Sequence, residues 1–543
     1  MMRAMPPVPV PPRPPRRLGG AVAVGLGIFL SRIAGLVRER VLAHYLGRSD
    51  AAGAFRAALR IPNLLQNLLG EGVLSASFIP VYARLRAEGR TEEAERMART
   101  VGTLLALVAS LIALIGAVAA GGLVDVITPG FHGETRALTV RLVQILFPGV
   151  ALLVLSAWCL GVQNSHRKFF LSYVSPVVWN AALIATAVVA GRRVAGDEFD
   201  FAVWLAWGAV IGSGLQLAVQ LPTVLRLVGG LRPSLATRDP NVRASLRAFG
   251  PVLIGRGSVQ LSSYLDQLLA SYLGGGIVAS MAFVQTLYTL PVSLFGMAVS
   301  AAELPEMSGT TGDRETIATA LRERLRRSLR RVVFLVVPSA VAFVALGGVI
   351  VAVLFQSGRF GASDTRSVWI ILAGSAIGLS AGTQGRLLAS AFYALGDTRS
   401  PLHAALVRVA FTFVTGWALV LPVRAHFGYG ADWAAFGLTA SAGVAAWIEF
   451  EVLRRGLARR IGALTMPTQL GFGALAAAAL AGGVAWSVLH FLPPLRPIFA
   501  AAVALPIYGA LYIGLMARAG VPESRAFTDR LRRRRNRDRD VRI

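Results

Sequence analysis

The chain has 543 residues, of which 55% are hydrophobic and only 15% charged, with a formal net charge of +27. Apolar runs recur along its whole length, more than any soluble core needs, so the bilayer is its solvent. The basic excess is spread over many short loops rather than gathered on one soluble domain, which argues against nucleic acid as a partner and for contact with anionic lipid headgroups.

Residues 1–17, rich in Pro and Arg, read as an extended cytoplasmic tail. A cleaved signal peptide does not fit, because Arg32 closely follows the apolar run 21–30 and no small-residue cleavage site intervenes. With about 20 apolar residues per crossing of a roughly 30 Å core, the first six helices fall near 20–46, 51–82, 99–122, 136–163, 172–191 and 201–227. Eight more fall near 244–273, 277–303, 331–355, 367–393, 401–423, 432–453, 467–490 and 497–517. The fold class is an all-α polytopic membrane protein of about 14 transmembrane helices. One set of loops plus both tails holds roughly 38 Lys and Arg and the opposite set roughly 8, which puts both termini in the cytoplasm. The segment 521–543 is a solvated basic tail. Cys159 is the only cysteine, so neither an intrachain disulfide nor a Cys-based metal site is available. The six histidines are scattered, and no Walker loop, HExxH, GxSxG or carboxylate dyad appears, so no metal, cofactor or enzymatic activity is expected.

Internal repetition organises the helices. Leu42-Ala43-His44-Tyr45-Leu46-Gly47 recurs as Leu269-Ala270-Ser271-Tyr272-Leu273-Gly274, each copy closing a helix. The following helix carries Pro62 in one copy and Pro291 in the other. Such duplication suits a transporter built around a central site. It gives two homologous six-helix bundles, over 18–230 and 231–460, plus a C-terminal pair, helices 13 and 14, over 461–520. Within the second bundle, residues 314–331 carry Ile317, Leu321, Leu325 and Leu329 on one stripe and arginines elsewhere, the pattern of an amphipathic helix lying on the cytoplasmic surface.

The chemistry sits on polar stripes inside these apolar runs. Arg56, Arg60, Asn63 and Asn67 fall at i, i+4, i+7 and i+11 of helix 2 and share one face. Arg256, Gln260, Ser263 and Gln267 repeat that spacing on helix 7, and helix 1 adds Arg32, Arg38 and Glu39. A guanidinium at membrane depth is costly unless it faces protein, water or an anion. Two such faces, one from each bundle, would line a central cavity with donors suited to phosphate oxygens. Arginines near helix ends can equally snorkel to the interface, Glu39 can simply neutralise an arginine, and Asn and Gln can act as interhelical glue. Pro62, Gly70 and Gly72 in helix 2, and Pro291 with Gly296 in helix 8, are candidate hinges for rocking bundles or plain packing kinks.

Three stretches carry a family resemblance: Ser31-Arg32-Ile33-Ala34-Gly35-Leu36-Val37-Arg38-Glu39, Ala57-Ala58-Leu59-Arg60-Ile61-Pro62-Asn63-Leu64-Leu65, and Gly70-Glu71-Gly72-Val73-Leu74-Ser75-Ala76-Ser77-Phe78-Ile79-Pro80. Together they resemble the N-terminal signature of the MurJ (MviN) family, which flips lipid II, the undecaprenyl-pyrophosphate-linked peptidoglycan precursor, across the bacterial inner membrane. MATE drug exporters and polysaccharide-lipid flippases belong to the same superfamily. The resemblance implies that Arg32, Arg38 and Arg60 stand at functional basic positions and that helices 13 and 14 form a groove for the lipid tail. Three expected charges are replaced, by Gly53, Gln66 and Thr286, and Arg56 and Arg256 are extra arginines placed to restore the anion-binding charge.

The implied mechanism is alternating access by a monomer, with the pyrophosphate on cavity arginines and the polyprenyl chain left in lipid. A cavity spares the polar headgroup the cost of crossing hydrocarbon. Cell-wall synthesis proteins are conceivable partners, and the energy source is not legible. Three alternatives remain: a flippase for another polyprenyl-pyrophosphate-linked glycan; a MATE-type drug or cation antiporter, which would need cavity carboxylates such as Asp266 or Glu39; and a non-transporting scaffold acting through its basic tails.

Overall fold

The long apolar runs fold as helices because, in hydrocarbon, every backbone polar group must be bonded within its own segment. The computed structural model describes residues 18–69, 74, 77–194, 196–230, 232–297, 314–493 and 495–525, with side chains described for all of these except 18–25, 251–263, 296–297 and 314. The helices are α1 (Leu18–Leu46), α2 (Asp50–Leu69), α3 (Ile79–Ala87), α4 (Thr91–Val118), α5 (Ala120–Ile127), α6 (Gly133–Ser165), α7 (Phe169–Arg193), α8 (Glu198–Leu227) and α9 (Pro240–Ser271). They continue as α10 (Gly275–Pro291), α11 (Arg314–Ala345), α12 (Gly347–Phe355), α13 (Ala362–Ala394), α14 (Arg399–Val420), α15 (Pro422–Phe427), α16 (Ala431–Ile461), α17 (Thr468–Phe491) and α18 (Pro497–Arg518). Among the described residues, eleven helices are long and apolar enough to cross a membrane. Helices α1, α2 and α9 occupy the positions expected of crossings 1, 2 and 7, which brings the total to about fourteen. α2 falls short on hydropathy for a reason that matters below, since it carries the polar stripe.

Sequence-local chemistry sets several helix ends. Asp197 caps α8 by accepting from the Phe199 and Asp200 amides at 2.9 and 3.0 Å, and Asp239 caps α9 ahead of Pro240, in line with the N-cap preference for Asp. Gly47 and Gly274, the ends of the two repeat copies, both turn at positive φ, +58° and +101°, a conformation that glycine adopts without steric cost. Prolines inside the membrane are compensated by neighbours. Pro338 leaves the Phe334 carbonyl without its helical donor, and the Tyr512 hydroxyl supplies one at 2.6 Å. Pro176 does the same to Ser172, whose carbonyl accepts from Ser175 Oγ at 3.1 Å.

The first lobe packs α1, α2, α4, α6, α7 and α8 around a core that includes Phe55, Phe78, Phe147 and Val150. The second packs α10, α11, α13, α14 and α16, with α9 leaning on α14. The α17–α18 pair packs on α11 through Ala474, Ala478, Ala481, Tyr508 and Tyr512. One element departs from the sequence expectation. Residues 314–331 are not a separate surface helix but the first turns of the continuous α11. Their stripe of Leu321, Leu325 and Leu329 is buried against Leu387, Leu388, Phe392, Leu453 and Leu457, so the amphipathic pattern records packing on protein rather than on lipid.

The expected hinges divide. α2 runs unbroken through Pro62, which is buried. The chain switches from α to π hydrogen bonding straight after Pro291, over Val292–Met297, which includes Gly296. Gly70 and Gly72 lie outside the described residues.

Candidate functional site

Helices α1 and α2 meet at the short turn after Leu46, and this turn end is where the lobes are joined. Arg48 of the first lobe pairs with Asp432 at 2.7 Å, and Ser367 Oγ donates to the other oxygen of that carboxylate at 2.6 Å. Arg359, in the loop between α12 and α13, pairs with Glu198, and its amide donates to the His44 carbonyl at 2.9 Å. Arg40 donates to the Val353 and Leu354 carbonyls at 2.7 and 2.9 Å, and the Gly130 amide donates to Ser271 Oγ at 3.0 Å. Ala43, Ala57 and Phe131 of the first lobe join the apolar core of the second. At the opposite, tail end, the first lobe is met by the connecting segment and α9, through hydrogen bonds at Ser234 and Asn241 and through Val242 and Phe249, which pack with the first lobe's apolar core.

Beneath the turn end the polar stripe starts with Arg56 and Arg60 partly buried and continues with Asn63 and Asn67 exposed. At 1.5 Å per residue, Arg56 and Arg60 lie roughly 9 and 15 Å into α2. Glu39 is buried and joins two of the expected arginines: Arg38 Nη2 donates to Oε1 at 2.5 Å, Arg56 Nη1 donates to Oε1 at 2.9 Å, and Arg56 Nη2 donates to Oε2. Arg38 Nη1 also donates to Asn180 Oδ1 at 3.0 Å, and its guanidinium lies 5.1 Å from the Trp179 ring centroid. Trp179 is itself pinned through Nε1 to the Ala209 carbonyl at 3.1 Å. Arg56 faces the Phe283 ring at 5.3 Å. Two guanidinium charges therefore share one carboxylate, and Arg56, expected as free anion-binding charge, is committed to Glu39.

Arg60 is different. It is half-buried and faces the Tyr264 ring at 5.8 Å, and its guanidinium has no hydrogen bond or ion pair among the described residues. Arg32 and Asn63 are exposed, and Arg32 likewise has no such partner among them. The side chains of Arg256 and Gln260 lie outside those described. Gln267, from the same stripe, is buried, and neither of its amide atoms has a partner among the described residues. No group of His, Cys, Asp and Glu among the described residues could hold a metal ion.

Several contributors escaped the sequence reading. Asn180 has a visible signal, as a polar residue four positions after Pro176 in an apolar run. Trp179, Phe283 and Tyr264 carry none, since aromatic residues on apolar helices read as core. Arg408, paired with Glu449 at 3.0 Å, joins α14 to α16 in the second lobe. Asp266 lies within the electrostatic influence of Arg60 and Arg408.

A groove of about 1380 Å³ opens between α17 and the second lobe, lined mainly by apolar residues such as Val341, Ile377, Trp447, Phe472 and Trp486. Such a volume, rich in aliphatic and aromatic walls, accommodates hydrocarbon.

Residues 42–504 match the family model described as Lipid II flippase MurJ. The chain is 30% identical over 503 residues to the lipid II flippase MurJ of Burkholderia cenocepacia, covering 90% of this chain and 94% of that one. It is 32% identical over 410 residues to the probable lipid II flippase MurJ of Rhizobium tropici, covering 75% and 76%. A solved structure described as lipid II flippase MurJ in an inward closed conformation aligns with TM-score 0.74 at 20% identity, covering 92% of this chain and 99% of that one. An inward-facing multidrug resistance MATE family transporter aligns with TM-score 0.62 at 15% identity, covering 81% and 98%. These two structural likenesses carry the fold.

Proposed function

The chain belongs to the lipid II flippase MurJ family, and from that premise we propose that it moves lipid II from the cytoplasmic to the outer leaflet of the bacterial inner membrane by alternating access, with cavity arginines holding the pyrophosphate. As a family member it is a transporter rather than an enzyme, and it is a multi-pass membrane protein. The observation that carries the mechanism is the uneven joining of the lobes: the ion-pair latches and a broad apolar seal gather at the turn end, with arginines directly beneath, whereas at the tail end the first lobe is met by the connecting segment and α9. The basic segments 84–99 and 226–247 flank the tail end, and the preference of Lys and Arg for the cytoplasmic side makes that end cytoplasmic. The described conformer is then the inward-facing one, ready to admit a headgroup from inside.

Within the cavity, Arg32 and Arg60 offer guanidinium donors not engaged by the described residues, the fork geometry that phosphate oxygens accept. Arg38 and Arg56 are held by Glu39, and a pyrophosphate would join them by sharing or displacing that carboxylate. Helices moving as two rigid lobes would then open the turn end, with the α-to-π switch after Pro291 as the point of flexure. The groove beside α17 is the place for the polyprenyl chain, which never needs to leave an apolar environment. The basic cytoplasmic loops would add contacts with anionic lipids.

The test is complementation of a lipid II flippase depletion strain. Wild type should restore growth, whereas Arg32→Ala and Arg60→Ala, expressed at equal levels, should not. Failure of wild type to rescue would remove lipid II as the substrate, and rescue by both variants would remove the arginine site.

A further inference from the structure

We propose that Tyr264 is a positioning residue for Arg60, reaching across from the second lobe so that the grip on an anionic headgroup depends on how the lobes are arranged. The inference rests on the reading of Arg60 as an anion ligand and adds the means by which the protein holds and releases it.

Tyr264 contacts Arg60 twice. Its hydroxyl donates to the Arg60 main-chain carbonyl at 2.8 Å, and its ring faces the Arg60 guanidinium at 5.8 Å. Arg60 belongs to α2 of the first lobe and Tyr264 to α9, which opens the second half of the chain, packs against α14 and α10 of the second lobe and also touches α2, α3, α4 and α5 of the first. The same arrangement recurs one turn higher, where Arg56 faces Phe283 on α10 of the second lobe. The difference is that Arg56 spends its in-plane N–H groups on Glu39, whereas those of Arg60 meet no acceptor among the described residues.

An aromatic face suits this task. The ring quadrupole offsets part of the cost of holding a cation away from water while leaving the N–H edge of the guanidinium free. A carboxylate in the same place would occupy that edge and compete with the incoming anion. Asp266, two residues further along α9, acts on Arg60 only through its charge and makes no hydrogen bond to it. The hydroxyl bond to the main chain fixes the ring relative to α2, so the guanidinium is directed without being consumed.

Both contacts join α2 to α9, the helix that bridges the lobes, so a rearrangement that draws α9 away from α2 removes the platform from Arg60. The guanidinium then gains rotamer freedom, which lowers its hold on a bound anion. Uptake in the inward-facing form and release in the other would follow from one contact.

The experiment measures binding of farnesyl pyrophosphate, with inorganic pyrophosphate as competitor, to the full-length protein in nanodiscs. Six proteins are compared: wild type, Arg60→Ala, Tyr264→Phe, Tyr264→Leu, and the Arg60→Ala/Tyr264→Leu and Arg60→Ala/Tyr264→Phe double variants. Tyr264→Leu should weaken binding about tenfold, within the range expected of a desolvated cation–π contact. Tyr264→Phe keeps the ring and should lose about threefold, as expected for one hydrogen bond. In the Arg60→Ala background neither change at Tyr264 should matter, because a residue acting through Arg60 has nothing left to position. Equal losses from Tyr264→Leu with and without Arg60 would mark a general packing role and overturn the proposal, as would wild-type affinity in Tyr264→Leu. If Tyr264→Leu does not fold, Tyr264→Phe in the two backgrounds gives the same decision. Wild-type affinity in Arg60→Ala would instead remove the anion-site reading beneath it.

Discussion

Gly53→Ala adds one methyl group at a close backbone contact between the lobes. An ideal Cβ at Gly53 falls 2.5 Å from the Gly275 carbonyl carbon, and closer still to the Cα and carbonyl oxygen of that residue. Those atoms are backbone, so no side chain can rotate away, and contact distances of roughly 3.5 Å require α2 and the start of α10 to separate by about 1 Å. Overpacking of this kind costs about 1–3 kcal/mol. Alanine also improves the helical propensity of α2 by about 1 kcal/mol over glycine. That gain is the same whether the turn end is closed or open, so it cancels from the equilibrium between the two. The net penalty therefore falls on the closed form, and the open population should rise about 5- to 150-fold, at a factor of ten per 1.4 kcal/mol. The reporter is Ala43→Cys in a Cys159→Ala background, because Ala43 is fully buried in the cross-lobe apolar core. Labelling of the introduced thiol by a membrane-impermeant maleimide applied from the outer side should accelerate about fivefold or more in Gly53→Ala. An unchanged labelling rate in folded protein would refute the view that the Gly53–Gly275 contact holds the turn end shut.

Two other outcomes follow from particular side chains. Glu39→Ala leaves the Arg38 and Arg56 guanidinium groups facing each other without their shared carboxylate, and breaking a buried pair in this way costs about 3–5 kcal/mol. The thermal midpoint in detergent should fall well below that of wild type, and an unchanged midpoint would mean that the cluster is solvated. At the tail end, burial, with Arg86 and Lys168 adding repulsion, holds the His166 imidazole down at about 4, against 6.5 for the ordinary value. As pH falls the unfolded chain takes up that proton first, so the stability contributed here is complete above about pH 6.5 and is lost as pH drops towards 4. His166→Gln should flatten the difference in unfolding midpoint between pH 7.5 and pH 5, and a slope equal to that of wild type would count against this assignment.

Most of the helical architecture was legible because hydrocarbon leaves the backbone so few options: length, apolarity and loop charge suffice to place a crossing. Both copies of the short sequence repeat end in a glycine at positive φ. The α11 stripe was misread for a reason internal to such patterns, since an apolar face looks the same whether lipid or protein covers it. The site was half legible. Arg32, Arg38, Arg56 and Arg60 stood out because charges are rare in these helices, and Glu39 was recognised as a possible neutraliser. Trp179, Phe283 and Tyr264 could not be recognised, because nothing in the order of residues says which ring will lie beneath which guanidinium.

The order of residues alone determined that this chain lives in a bilayer, how often it crosses, and which helices carry charge at depth, since each of these follows from local transfer energies. Tertiary structure alone decided that Arg56 would be bound to Glu39 while Arg60 would lie against the Tyr264 ring with no ion pair among the described residues, and that ion pairs would latch the lobes at the turn end. Those outcomes depend on distances between helices far apart in the chain. A few ångströms separate a guanidinium that meets a carboxylate from one that does not.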